Sequence, residues 1–262
     1  MRIDKVLVEY KFFSTRNKAQ HAIKEGIVSY QGKVVQKANT EITDISQVKI
    51  TGEKMPYVSR GGLKLEKALT AFQIDLTNQI VLDIGSSTGG FSDCALQHGA
   101  RHIIAIDTGT NQMDTGLRKD PRISLFEQTD FRTISIDKIK TAQVAMIDIS
   151  FLSISKILDR LASLEALNTI ICLIKPQFEC GKTIADKYKG VIRDAPTHVQ
   201  ILTSLITLLH SKQFFVHGLT FSPITGSSGN IEYLAYLTRI PCPVPPIEQT
   251  VHTAFKYFES RF

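Results

Sequence analysis

The chain has 262 residues, 43% hydrophobic and 21% charged, enough for one large α/β domain with a smaller companion and too apolar for disorder. No apolar stretch reaches the ~18 residues a membrane span needs, and the N-terminus, which opens on Arg2, Asp4 and Lys5, has no apolar signal-peptide core; a cytoplasmic protein is expected. The formal net charge is +6, and residues 1–60 hold eleven Lys+Arg against six Asp+Glu, so nearly all the excess charge lies where it would attract a phosphate backbone.

Ser14 predicts an N-cap for a helix over 15–25, with Gly26 as its stop. Ala19, Ala22 and Ile23 form its apolar stripe, while Arg16, Lys18 and Lys24 leave other faces basic. Two short strands follow, over 27–30 and 33–35, joined by Gln31-Gly32, a pair suited to a tight hairpin. A third over 48–50 closes a small sheet. The order Arg16-x-x-Ala19-x-x-x-Ile23-x-x-Gly26-x-Val28-x-x-x-Gly32-x-x-Val35-x-Lys37 resembles the αL-type RNA-binding domain first known from a small-subunit ribosomal protein. The resemblance covers a domain over 1–52 and implies RNA binding without a particular chemistry. Candidate phosphate contacts are Arg2, Lys5, Arg16, Lys18, Lys24, Lys33 and Lys37, with Arg60 beyond them.

Residues 53–60, with Pro56 near the centre, read as a linker. From Gly61 to the end at 262 the pattern changes to helices alternating with apolar strands. Strands are expected over 80–84, 102–107, 123–126, 144–149, 169–175, 214–220 and 231–237, and helices over 63–72, 91–98, 155–164 and 197–211. Such alternation predicts an α/β fold with a mostly parallel seven-stranded sheet. The four cysteines, Cys94, Cys172, Cys180 and Cys242, form no CxxC pair, so no metal site is expected and free thiols are.

The run from Val81 to Phe91 is an apolar strand, a Gly/Ser loop and a helix start. Glycines let backbone approach a ligand outside the carboxyl end of a strand. The dinucleotide fingerprint fails, because Ser87 stands at its middle glycine, and no Lys-Ser/Thr follows for a phosphate loop. Asp83 followed by Gly85, Ser86, Ser87, Thr88, Gly89, Gly90 and Phe91 instead resembles motif I of class I (Rossmann-like) methyltransferases, whose cofactor is S-adenosylmethionine. Asp107, 24 residues after Asp83, ends the next strand, where a carboxylate can accept from both ribose hydroxyls of an adenosine. Asp130 and Phe131, after the third strand, could hold the adenine.

Four charged residues stand beside apolar runs: Lys64, Asp148, Lys175 and Glu232. Together they resemble the Lys-Asp-Lys-Glu tetrad of the FtsJ-like ribose 2′-O-methyltransferases. Their surroundings, Ser59-Arg60-Gly61-Gly62-Leu63-Lys64, Asp148-Ile149-Ser150-Phe151, Lys175-Pro176-Gln177-Phe178-Glu179 and Gly229-Asn230-Ile231-Glu232, resemble the TlyA family across the whole chain. That family implies methylation of a ribosomal RNA cytidine, with ribosomal RNA or ribosomal subunits as partners, and the early first helix suggests the short form, acting on the large subunit. No membrane or metal is implied, and the oligomeric state stays open. A ribose hydroxyl must lose a proton as it attacks a sulfonium methyl, and a lysine buried near another cation can serve as base. That role is assigned to Lys175, with Lys64 the alternative; Asp148 and Glu232 would orient the lysines and balance their charge.

Three rivals are weaker. A base amino-methyltransferase carries prolines that Asp148-Ile149-Ser150-Phe151 lacks. A membrane-active haemolysin, the family's older label, would need a span, a barrel pattern or an amphipathic surface helix. An inactive RNA-binding assembly factor would not need the tetrad. Cys242 lies in a proline-rich tail region, 241–246, and is poorly placed as a cytosine-methylation nucleophile.

Overall fold

A computed structural model describes the chain except residues 14, 15, 25, 51–54, 189, 227 and 260–262, and the side chains at 17, 18, 21 and 24. It divides into two compact units, Met1–Met55 and Pro56–Phe262.

The first unit contains α1 (Ile3–Glu9), α2 (Arg16–Lys24) and a three-stranded antiparallel sheet of β1 (Val28–Tyr30), β2 (Lys33–Val34) and β3 (Val48–Ile50), in the order β2-β1-β3. Tyr30 pairs with Lys33 across Gln31 and Gly32, whose φ values of 52° and 76° give the left-handed turn that the strand twist favours. Gly26 also turns left-handed, at φ 73°, after α2; the expected Ser14 cap lies outside the described residues. Helix α1 was not expected. Its Ile3, Val6 and Leu7 meet Ala19, Ala22 and Ile23 of α2 and Val28 of β1 in one small core.

Asp4 sits fully buried at the start of α1. One oxygen accepts from Arg2 Nη2 at 3.1 Å, Arg16 Nε at 2.8 Å and Gln20 Nε2 at 2.8 Å; the other accepts from Arg2 Nε at 3.1 Å. Burial alone would raise this carboxyl, but the hydrogen bonds from Gln20, Arg16 and Arg2 outweigh it and hold the group well below the usual carboxylate range. Two of the expected RNA contacts, Arg2 and Arg16, are thus tied to an internal anion while remaining 41% and 45% exposed. Lys5, Lys33 and Lys37 are exposed. Lys18 and Lys24 belong to α2, and their side chains lie outside the described part of the structure.

The second unit opens with packing where a linker was expected. The Tyr57 ring is buried against Gly62, where a Cβ would stand 2.2 Å from it. Arg60 leads directly into α3 (Gly61–Phe72) and belongs to this unit. The remaining elements are β4 (Ile80–Ile84), α4 (Gly90–Gln97), β5 (His102–Ile106), β6 (Ile123–Phe126), β7 (Val144–Ile147), α5 (Leu158–Ala162), β8 (Thr169–Ile174), α6 (Pro176–Glu179), α7 (Gly181–Tyr188), α8 (Ala195–Ser211), β9 (Phe215–Phe221), β10 (Tyr233–Thr238) and α9 (Ile247–Glu259). All seven strands form one sheet, ordered β6-β5-β4-β7-β8-β10-β9, parallel except for β10, which runs antiparallel to both neighbours.

Alternation along each strand sorts the side chains onto two faces. Val81, Ile103, Val144, Met146, Ile171, Leu173 and Leu234 share a core with Leu65 and Leu69 of α3 and Cys94 of α4. Leu82, Ile104, Ile147, Cys172, Ile174 and Tyr233 share the other with α5, α8 and α9. The proline-rich stretch is therefore no tail. Past it, Ile247, Val251, Ala254 and Phe258, at helical spacing, bury α9. The chain crosses from one side of β4 to the other between β6 and β7, which makes the end of β4 the switch point where open α/β sheets bind ligands.

Asp4→Ala should remove a buried acceptor shared by three side chains, costing the first unit on the order of 1–3 kcal/mol. Amide hydrogen exchange on the full chain should show reduced protection at Val6, Ile23 and Val28 and leave protection in β4 and β7 unchanged. Equal reduction in both units would mean that Asp4 acts through global stability.

Candidate active site

Strand parity brings the tetrad together. Asp148 continues the alternation of Val144 and Met146 one residue past β7, and Lys175 continues that of Ile171 and Leu173 past β8, both on the face covered by α3 and α4. The antiparallel register pairs Tyr233 with Ile174, which sets Glu232 level with Lys175 and in the parity of Leu234. Lys64, on the first turn of α3, reaches this face from above.

Two ion pairs result. Lys64 Nζ donates to Glu232 Oε2 at 2.6 Å, with side chains 11% and 4% exposed. Lys175 Nζ lies 2.7 Å from Asp148 Oδ1, close enough for an ion pair but not aligned as a hydrogen bond. It donates instead to Ser150 Oγ at 2.8 Å. Exposure of 9% for Lys175 against 22% for Asp148 leaves this pair the more open of the two. Close glycine packing delivers Lys64: a Cβ on Gly90 would lie 2.2 Å from Ser59 Oγ and 2.9 Å from Gly62 N, so α3 and α4 start nearly in backbone contact. Asp93 of α4 accepts from Val58 N at 2.7 Å and fastens the approach to α3.

Beside the tetrad lies the glycine loop. Gly85 has φ 87°, and a Cβ there would stand 2.6 Å from the Asp148 carbonyl oxygen, so only glycine lets the ends of β4 and β7 come this close. Asp83 is fully buried; Oδ2 accepts from Ser92 Oγ at 2.6 Å, whereas Oδ1 and the nearby buried Ser86 Oγ have no protein partner among the described residues. Burial first, then the Asp148 and Asp107 carboxylates, push Asp83 up to about 7, against the opposing hydrogen bond from Ser92. Asp107 accepts from Ser87 N at 2.8 Å and Gly109 N at 2.6 Å, one bond to each oxygen. Thr88 O accepts from Asp114 N at 3.2 Å, and Met113 and Leu117 pack beside Gly89. Gly89 and Gly90 begin α4, and Phe91 is buried in its core.

Asp130 and Phe131 do not form an open polar–apolar pair. Arg132 engages the Asp130 carboxylate through Nε and Nη2, and Phe131 is buried in the core on the α8 face. Sequence reading also missed Ser92, a short hydroxyl side chain without a pattern of its own, and passed over Ser150 and Phe151 within a quoted motif. Phe151 is 90% exposed, has φ 64°, and lies 5.1 Å from the Phe178 ring, centroid to centroid. Lys175 Nζ lies 5.9 Å from the same Phe178 ring centroid. An exposed aromatic in a backbone conformation rare for a bulky residue thus stands one ring away from the buried Lys175.

Comparison with known proteins identifies the family. The FtsJ-like methyltransferase family matches residues 57–239, and the S4 domain matches residues 1–45. The chain is 43% identical to "Putative rRNA methyltransferase YqxC" of Bacillus subtilis, over 90% of this chain and 85% of that protein. It is 32% identical to "16S/23S rRNA (cytidine-2'-O)-methyltransferase TlyA" of Mycobacterium tuberculosis, over 97% and 96%. A solved structure named "Putative hemolysin" from Streptococcus thermophilus superposes with a TM-score of 0.79 at 38% identity, over 100% and 98%. Among the described residues, no helix is long and apolar enough to cross a membrane. The chain belongs to the FtsJ-like methyltransferase family, as a two-domain member that carries an S4 domain ahead of the methyltransferase fold and counts TlyA proteins among its relatives.

Proposed function

We propose that the protein transfers a methyl group from S-adenosylmethionine to a ribose 2′-hydroxyl of ribosomal RNA, at a cytidine of the large subunit, in the cytoplasm. The observation that carries this reading is the buried Lys64–Glu232 pair beside the more open Lys175–Asp148 pair at the mouth of the switch point. Base methylation would leave both lysines without a task.

The glycine loop fits the cofactor. Unpartnered Asp83 Oδ1 and Ser86 Oγ are buried polar atoms awaiting hydrogen bonds, and Gly85 keeps the floor open. These residues would hold the methionine part. Asp107, with one backbone bond on each oxygen, keeps lone pairs for the ribose hydroxyls. Asp130 remains the polar candidate near the adenine, once Arg132 shares it. When bound, the cofactor supplies an electrophilic methyl on sulfur.

The chain's own residues handle the proton. In the amine form of Lys175, Ser150 holds one N–H and the lone pair can take the 2′-hydroxyl proton as oxygen attacks. Asp148, 2.7 Å away, then offsets the new ammonium charge. Lys64, fixed by Glu232, stabilises negative charge developing on the oxygen, and little of it can be screened by water at such burial. Attack at a methyl requires in-line geometry, so positioning contributes much of the acceleration. Phe151 offers its exposed face to the base of the target nucleotide. The S4 unit supplies affinity for the surrounding RNA.

Lys175→Ala should lower methyl transfer by roughly 10²–10⁴-fold, as removal of a general base does. Affinity for S-adenosylhomocysteine, measured by calorimetry, should be retained; near-normal turnover of labelled cofactor on unmodified rRNA would shift the base to Lys64. Phe151→Ala should leave thermal stability unchanged, because the ring is exposed, and should weaken use of RNA by about 1–3 kcal/mol, the value of one base–aromatic stack. Steady-state kinetics identical to the parent would leave the ring no role.

Asp83 gives a pH test. Its folded-state value of about 7 lies above the ordinary carboxylate value, so the contribution to stability is complete below that ordinary value and is lost as pH rises toward 7. Asp83→Asn cannot ionise. Relative to the parent, its melting temperature without cofactor should therefore be higher at pH 7.5 than at pH 5, and an offset that does not change with pH would show that Asp83 is ionised in the fold throughout.

A further inference from the structure

Helix α7 is not explained by the core. None of its residues is buried, whereas α8 and α9 each bury a stripe. A helix of eight residues has little stability of its own in water. Gly181 and Gly190 bracket it, with φ 70° and 90° and open space about both, so glycine is needed there for the turn and not for lack of room. Lys182, Lys187 and the following Arg193 are exposed, while Ile184, Ala185 and Tyr188 are half-buried.

The base of this arm is clasped firmly. Asn230 Nδ2 donates to Gly190 O at 2.8 Å, and Asn230 Oδ1 accepts from Ile192 N at 3.1 Å. Buried His198 lies 3.1 Å from Ile192 O through Nε2 and 2.8 Å from Tyr233 Oη through Nδ1. A carbonyl only accepts, so Nε2 carries the hydrogen. Burial keeps His198 below its ordinary range, so Nδ1 accepts from the tyrosine. Asn230 and Tyr233 flank Glu232, and the arm is thereby fastened to the segment that supplies the partner of Lys64.

Charge identifies the occupant. Residues 181–193 hold Lys182, Lys187, Lys189 and Arg193 against Asp186 alone, a net of +3, whereas residues 56–262 as a whole net only +2. The positive excess of the second unit is concentrated in one arm, which begins six residues after Lys175. Exposed cations without an apolar centre suit a polyanion better than a protein face.

We propose that α7 and the turn to Arg193 form a second RNA contact, holding the phosphate backbone beside the nucleotide being methylated. This rests on the RNA methyltransferase reading and adds to it a contact outside the S4 unit. The test uses the full chain with Lys182→Ala and Lys187→Ala together, an unmodified large-subunit rRNA transcript, and a salt series. The magnitude of the slope of log K against log salt should fall by roughly 0.7–0.9 for each lysine–phosphate pair removed, and methyl transfer should fall at sub-saturating RNA. Unchanged S-adenosylhomocysteine affinity confirms the fold, and the double Lys→Arg variant should keep the parental slope. A double alanine variant with parental slope and affinity overturns the proposal. If the parent binds the transcript but transfers no methyl to any RNA, the methyltransferase reading fails, while the slope comparison still decides the arm.

Discussion

Four charges are gathered under α3, and the structure depends on making that tolerable. An unpaired lysine or carboxylate at this depth is strongly unfavourable, and pairing offsets the desolvation only when the geometry is close. The pairs sit at 2.6 and 2.7 Å. Those distances require Gly61, Gly62 and Gly90 to bring α3 down on α4, and they require β10 to run antiparallel so that its first residues meet the end of β8. Shift β10 by one residue and Glu232 would face the α8 side, leaving Lys64 buried and alone.

Asp83 belongs to the same electrostatic problem. It lies one strand from Asp148 and within the influence of Asp107, with Ser92 its only hydrogen-bond donor among the described residues. Three carboxylates thus share one end of the sheet, with Asp148 paired to Lys175 and Asp107 accepting two backbone N–H groups. In the first unit Asp4 works the other way: two guanidinium groups surround it, and part of the positive charge counted in the sequence is used internally before any RNA is met.

Much of this was legible in the sequence because the signals were local. Each of the seven strands is a short apolar run, and Gln31-Gly32 fixed its hairpin through backbone conformation alone. The tetrad could be read as words, since each member closes or opens a strand or helix. What escaped was non-local or obscured by its neighbours. Helix α1, Ile-Asp-Lys-Val-Leu-Val-Glu, is rich in β-branched residues and is helical only because Ile3, Val6 and Leu7 find α2. Helix α9 has clear helical spacing, but it follows a run of prolines that draws attention to the break. Tyr57 looks like linker until Gly62 is seen to leave room for its ring. Phe131 looked like a cofactor contact from its position, yet in the turn after β6 it is buried in the core on the α8 face.

The Lys64–Glu232 bond joins residues 168 positions apart. On the ribosome, Lys64 emerges long before its partner is synthesised; at 5–20 residues per second the delay is on the order of ten to thirty seconds. In the second half of that interval the glycine loop and β4 to β7 can assemble, but the tetrad is incomplete. The nascent chain can therefore form the glycine loop well before it can complete the tetrad, which waits for β10, the final strand among the described residues.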